Sequence, residues 1–114
     1  DLTVLSEGET VMQKYITKES FIKSKGSSFI ALCDSKPIEN KADIVRFFAK
    51  CIPVGDGSGV VTDRMTGKAT GEYEKMFQDG DYVWYADEVY HFKKYNLHLN
   101  DDFVSYVMTG GSSD

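Results

Sequence analysis

"YVWYADEVYHFKKY", Tyr82 to Tyr95, is the stretch on which two architectures divide. Tyr82, Tyr85, Ala86, Val89 and Phe92 recur at helical spacing, while the density of Tyr, Val and Trp suits a strand. Asp81 stands where a helix cap belongs, and Lys93 and Lys94 fall at the far end, where the helix dipole favours cations. The spacing therefore predicts a helix. As a strand, the same stretch would make Asp79-Gly80 a hairpin turn and give helices followed by a curved antiparallel meander, an α+β cone.

Downstream, "DFVSYVM" from Asp102 to Met108 reads as a last strand, and "TGGSSD", residues 109–114, as a flexible tail. Upstream, "EYEKMF" is a strand with alternating character, "RMTGKATG" a polar connection, "VVT" a strand start and "VGDGSG" a turn. "KADIVRFFAKC" carries Ile44, Phe47, Phe48 and Cys51 at i, i+3, i+4 and i+7 behind Asn40, and Pro53 follows, so a helix is expected there. "FIALC", Phe29 to Cys33, is a compact apolar run between turn residues and reads as a buried central strand. Residues 1–27 form an N-terminal helical appendage in this reading. Ser6 and Glu9 have capping-box spacing, and Val11, Met12, Tyr15 and Ile16 continue a helix from about Glu7 to Lys18.

Strand, helix, strand, strand, helix, strand over residues 28–108 is the split βαβ order. The expected fold class is α+β, ferredoxin-like: a four-stranded antiparallel sheet, two backing helices and the extra N-terminal helix. At 114 residues the chain forms one domain with a single modest core.

Within that order, "ADIVRFFAKCIPV" followed by "VVTDRMTGKATGE" resembles the first helix, second strand and following loop of an RNA-recognition motif. The Gly-Glu after the loop is similar to the quasi-RNA-recognition motifs of the heterogeneous nuclear ribonucleoprotein H type. The family octamer aligns with Thr70 to Phe77, where only Gly71 and Phe77 fit it. Glu72 and Glu74 stand where stacking rings are expected, and Ala31 replaces the aromatic of the first strand. Loss of two rings removes about 1–3 kcal/mol of stacking per base and sets carboxylates against phosphate. The resemblance implies instead RNA contact through loops, for which Arg64 and Lys68, with Arg46 and Lys50 on the helix, are the available phosphate partners.

Charge disfavours nucleic acid as well: 18 acidic against 13 basic side chains give a net charge of −5. No apolar stretch is long enough for a membrane helix. The Gly-rich turn lacks the Gly-Lys-Ser/Thr ending of a phosphate loop and the ligand pattern of a calcium loop. No cofactor or metal is implied: Cys33 and Cys51 form no Cys-x-x-Cys pair and read as free thiols, and His91 and His98 adjoin no nucleophile. Asp1 in place of Met marks an excised domain or a processed chain; localisation stays open, with an intracellular setting favoured.

Seven Tyr, seven Phe and one Trp are many for this length. Tyr and Trp favour interfaces, since they bury apolar area and keep a polar handle. The sequence thus points to a non-catalytic protein-binding or assembly module, meeting a partner or a second copy through Tyr82, Trp84 and Tyr85 and an acidic sheet face carrying Glu72 and Glu74. RNA binding through loops is the alternative. A small-molecule enzyme is another, with an NTF2-like cone whose pocket is lined by Tyr73, Tyr82, Trp84, Tyr90 and His91.

Overall fold

A computed structural model describes residues 13–111 and, as backbone, the strands β1 (Thr3–Leu5) and β2 (Glu9–Val11), which pair antiparallel. β3 (Lys14–Tyr15) follows, then a 3-10 turn (Glu19–Lys23), a single helical turn α1 (Ser27–Ile30) and the helix α2 (Lys41–Lys50). Strands β4 (Gly55–Thr62), β5 (Ala69–Asp79) and β6 (Tyr82–Tyr85) come next, and helices α3 (Ala86–Tyr95) and α4 (Asp101–Met108) end the order. The class is α+β, with a four-stranded sheet ordered β3-β6-β5-β4. That sheet is mixed. β4, β5 and β6 are an antiparallel meander, whereas β3 lies parallel to β6, so the all-antiparallel sheet expected from the sequence is corrected.

The correction begins at the dividing stretch, which is half strand and half helix. Gly80, with φ +58°, and Asp81 turn the chain between Asp79 and its partner Tyr82, and β6 runs to Tyr85 before α3 begins. Glu88 accepts the Tyr85 N–H at 3.0 Å and so ties off the start of α3, where the spacing predicts Asp81 as the cap. At the other end Lys93 and Lys94 occupy the last turn, and Asn96 at φ 62° closes the helix.

Further segments depart from expectation. Phe29 lies in α1, and among the described residues the only sheet-like contact of "FIALC" is an isolated bridge from Cys33 to Leu97. "DFVSYVM" is helix α4, because Phe103 and Val107, one turn apart, both go into the core. The helix expected from Glu7 to Lys18 is replaced by β2 and β3 in the part described; Ser6 to Gly8 and Met12 lie outside the described residues. Within that part, Ile16 is fully buried, and its carbonyl accepts the Asn100 N–H at 2.8 Å.

Helix α2 stands where its spacing placed it, with Ile44 and Phe48 buried. Tyr82 and Trp84, alternate residues of β6, face Phe48, Phe103 and Phe77 in an aromatic core. Trp84 is 1% exposed, which removes it from the surface where the aromatic-rich segment had placed it, and Tyr82 is buried beside it. Among the described residues no helix is long and apolar enough to cross a membrane.

Candidate functional site

"VGDGSG" is a bulged strand rather than a turn. Asp56 pairs with Lys75 and Val60 with Tyr73, so β4 uses two more residues than β5 over that span, and the excess falls at Gly57, Ser58 and Gly59. Between Tyr73 and Ala69 the excess changes sides, to Thr70, Gly71 and Glu72 of β5. Gly59 at φ +79° and Gly71 at φ +89° supply the left-handed geometry that these irregularities need. A side chain at Gly57 would meet Glu74 Cγ at 2.2 Å. The first bulge thus lies directly over Glu74.

Beneath it, between the 3-10 turn and the start of α3, opens a cleft of about 840 Å³. Its walls include Tyr15, Thr17 and Phe21 from the N-terminal side, Asp56 and Gly57 from the bulge, and Arg64, Glu74, Tyr85, Asp87 and Glu88. Tyr15 is 64% exposed and Tyr85 39%, so two rings stand at the rim. Five carboxylates face the cleft, Glu19, Asp56, Glu74, Asp87 and Glu88, against only Lys18 and Arg64.

Arg64 is committed within the chain. Its guanidinium donates to Asp87 Oδ2 at 2.5 Å and to the carbonyls of Ile22 and Ser24, and it lies 4.1 Å from the Phe21 ring centre. Asp87 is buried enough to be pushed up, yet the His91 N–H and Arg64 outweigh burial and hold it below the ordinary carboxylate range. Glu74 accepts the Asp87 N–H at 3.0 Å, and burial holds its carboxyl above the ordinary value. Glu88 accepts from the Thr17 hydroxyl at 2.6 Å and from Tyr85 N–H. Burial, which those two bonds only partly offset, pushes Glu88 up to about 7, with the neighbouring Asp87 and Glu74 charges adding to the rise.

Arg64 Nε is buried with no hydrogen bond among the described residues. His91 Nδ1 lies 2.8 Å from the Asp87 carbonyl and 3.0 Å from Asp87 Oδ1, between the two acceptors.

Of the residues proposed for protein contact, Glu74 and Tyr85 meet in this cleft. Glu72 and Tyr73 border a separate groove on the other face of β5, so the acidic sheet face is divided by the strand. Tyr82 and Trp84 are core. The four candidate phosphate partners do not converge: Arg46 pairs with Asp43, Arg46 and Lys50 line a depression near α4, Lys68 is on the exposed β4–β5 loop, and Arg64 is held as described.

The remaining titratable groups have partners or settings of their own within the chain. His91 is fully buried; its Nε2 accepts the Arg64 N–H at 3.0 Å while Nδ1 serves Asp87, so both nitrogens are occupied. His98 pairs with Asp34. Asp63 organises the β4–β5 loop. Burial favours its neutral form, but hydrogen bonds from Tyr90 and Tyr95 hydroxyls and from Met65 and Thr66 amides hold it well below the carboxylate range. Both cysteines are free thiols, and burial raises each, Cys51 to about 11, away from reactive thiolate. Among the described residues no group of His, Cys, Asp and Glu is arranged to hold a metal ion.

Sequence reasoning missed Tyr15, Asp56, Asp87 and Glu88. The one available signal was "DE" opening α3, since acidic residues gather in a helix's first turn. The chain matches no family model, no curated protein and no solved structure.

Proposed function

We propose that this chain is a non-catalytic protein-recognition module whose tyrosine-rimmed acidic cleft receives a cationic side chain of a partner. The observation that carries the reading is the surplus of carboxylate in a walled space. Glu74, Asp87 and Glu88 converge there, and the one guanidinium among them is already bonded to Asp87. A guanidinium or ammonium entering beside Tyr85 gains charge-assisted hydrogen bonds and ring contact together.

The commitment of Arg64 to Asp87 and of Arg46 to Asp43 leaves the RNA reading less support. Occupied ring nitrogens on His91 weigh in the same way against a pocket enzyme built around it.

The test is fluorescence anisotropy with a labelled peptide of alternating arginine and glycine, and with its glutamate–glycine counterpart. Only the cationic peptide is expected to bind. Tyr85→Ala and Glu74→Gln are each expected to weaken it about tenfold, equivalent to about 1.4 kcal/mol, and added salt to weaken it further. Binding indifferent to both substitutions contradicts the cleft. Tight, salt-sensitive binding of single-stranded RNA in its place favours the RNA reading.

A further inference from the structure

The other face of β5 holds a groove of opposite character. Tyr73, Lys75 and Phe77 alternate along the strand and share that face, and Val89, Lys93 and Lys94 from one stripe of α3 form the facing wall. The groove encloses about 670 Å³, and Phe48 of α2 also lines it. Tyr73 is 72% exposed although it stands mid-strand. Lys94 reaches Asp63 at 3.4 Å and Tyr90 at 3.2 Å, so its charge is largely answered. The ammonium groups of Lys75 and Lys93 make no hydrogen bond or ion pair with any described residue.

From these features we infer that the groove is a docking site for an extended, acidic and apolar segment of a partner protein. In a chain of net charge −5, two free lysines over an aromatic and aliphatic floor run against the general charge and select a carboxylate-bearing ligand. The dimensions fit an extended chain. From Tyr73 to Phe77 the strand advances about 13 Å, the length of about four extended residues. From Ala86 to Lys94 the helical wall advances about 12 Å. Alternate apolar side chains would enter between Phe77 and Val89, and the intervening carboxylates would meet Lys75 and Lys93. Glu72 at the groove's edge disfavours a phosphate backbone, and the acidic cleft of a second copy is itself concave, so the two hollows do not mate. This site is independent of the acidic cleft, and either can fail alone.

The experiment uses the full chain and a labelled peptide of alternating glutamate and leucine, with glutamate–serine and lysine–leucine peptides and oligouridylate as comparators. The glutamate–leucine peptide is expected to bind, with tenfold or greater weakening in the combined Lys75→Glu, Lys93→Glu variant. Tyr73→Ser, at an exposed ring, is expected to weaken it separately, and Glu74→Gln to leave it unchanged. Thermal melts of the variants report that the fold is kept. No binding by the unaltered chain, or equal binding by the combined variant, overturns the proposal. So does tighter oligouridylate binding lost in that variant, which would make the ligand single-stranded nucleic acid. Self-association abolished by the combined variant would make it a second copy, and overturns the proposal as well.

Discussion

Glu88 connects three parts of the molecule through one carboxyl group: the segment at Thr17, the end of β6 at Tyr85 and the start of α3. Its ordinary pKa of 4.5 is pushed up to about 7 by burial, so between those values the folded chain binds more protons than the unfolded one. Stability from this group is therefore present in acid and lost as pH rises from about 4.5 to about 7, in total about 3 kcal/mol. Asp63, held low, acts in the opposite sense: its contribution is present above the ordinary carboxylate value and lost as pH falls. Glu88→Gln keeps an acceptor for Tyr85 and cannot ionise. Urea titration should show the variant about 1–3 kcal/mol more stable than the parent at pH 8, with little gain at pH 5. An equal change at both pH values would contradict the assignment. Trp84 gives a second residue-scale expectation. Because it packs on Phe47, Phe48, Phe77 and Phe103, Trp84→Ala should cost about 3–5 kcal/mol in the same titration. A loss under 1 kcal/mol would contradict its burial, on the scale that core truncations set.

At the scale of elements, the bulge in β4 and the cleft under it form one unit. Gly57→Val places a branched side chain into Glu74 and is expected to cost about 1–3 kcal/mol and to abolish binding of the arginine–glycine peptide. Gly55→Ala, with open space around it, should change neither. Equal behaviour of the two variants would contradict the bulge geometry. The same elements explain what could be read beforehand. α2 was legible because its apolar residues fit helical spacing alone, between Asn40 and Pro53. "DFVSYVM" was not, since Phe103, Val104, Tyr106 and Val107 satisfy a short strand and two helical turns alike. "YVWYADEVYHFKKY" contains both answers in sequence, and Glu88, three residues after Tyr85, marks the join. Glu74 and Tyr85 were legible as residue types for recognition; their meeting depends on bulges that glycines permit but do not announce.

Across the whole molecule, one sheet presents surfaces of opposite charge on either side of β5. The acidic one carries Glu74 and Tyr85, and the basic one carries Lys75 and Tyr73. In the proposed reading, such an arrangement favours partners with separate charged segments over a uniform polyanion, and the buried Trp84 is no surface anchor. The most direct measurement is an amide chemical-shift map of the 15N-labelled chain during titration with the arginine–glycine peptide. Shifts are expected at Asp56, Gly57, Glu74, Tyr85 and Asp87, with Tyr73, Lys75 and Lys93 unmoved. Shifts confined to the lysine side, or spread evenly over the surface, would contradict recognition by the acidic cleft.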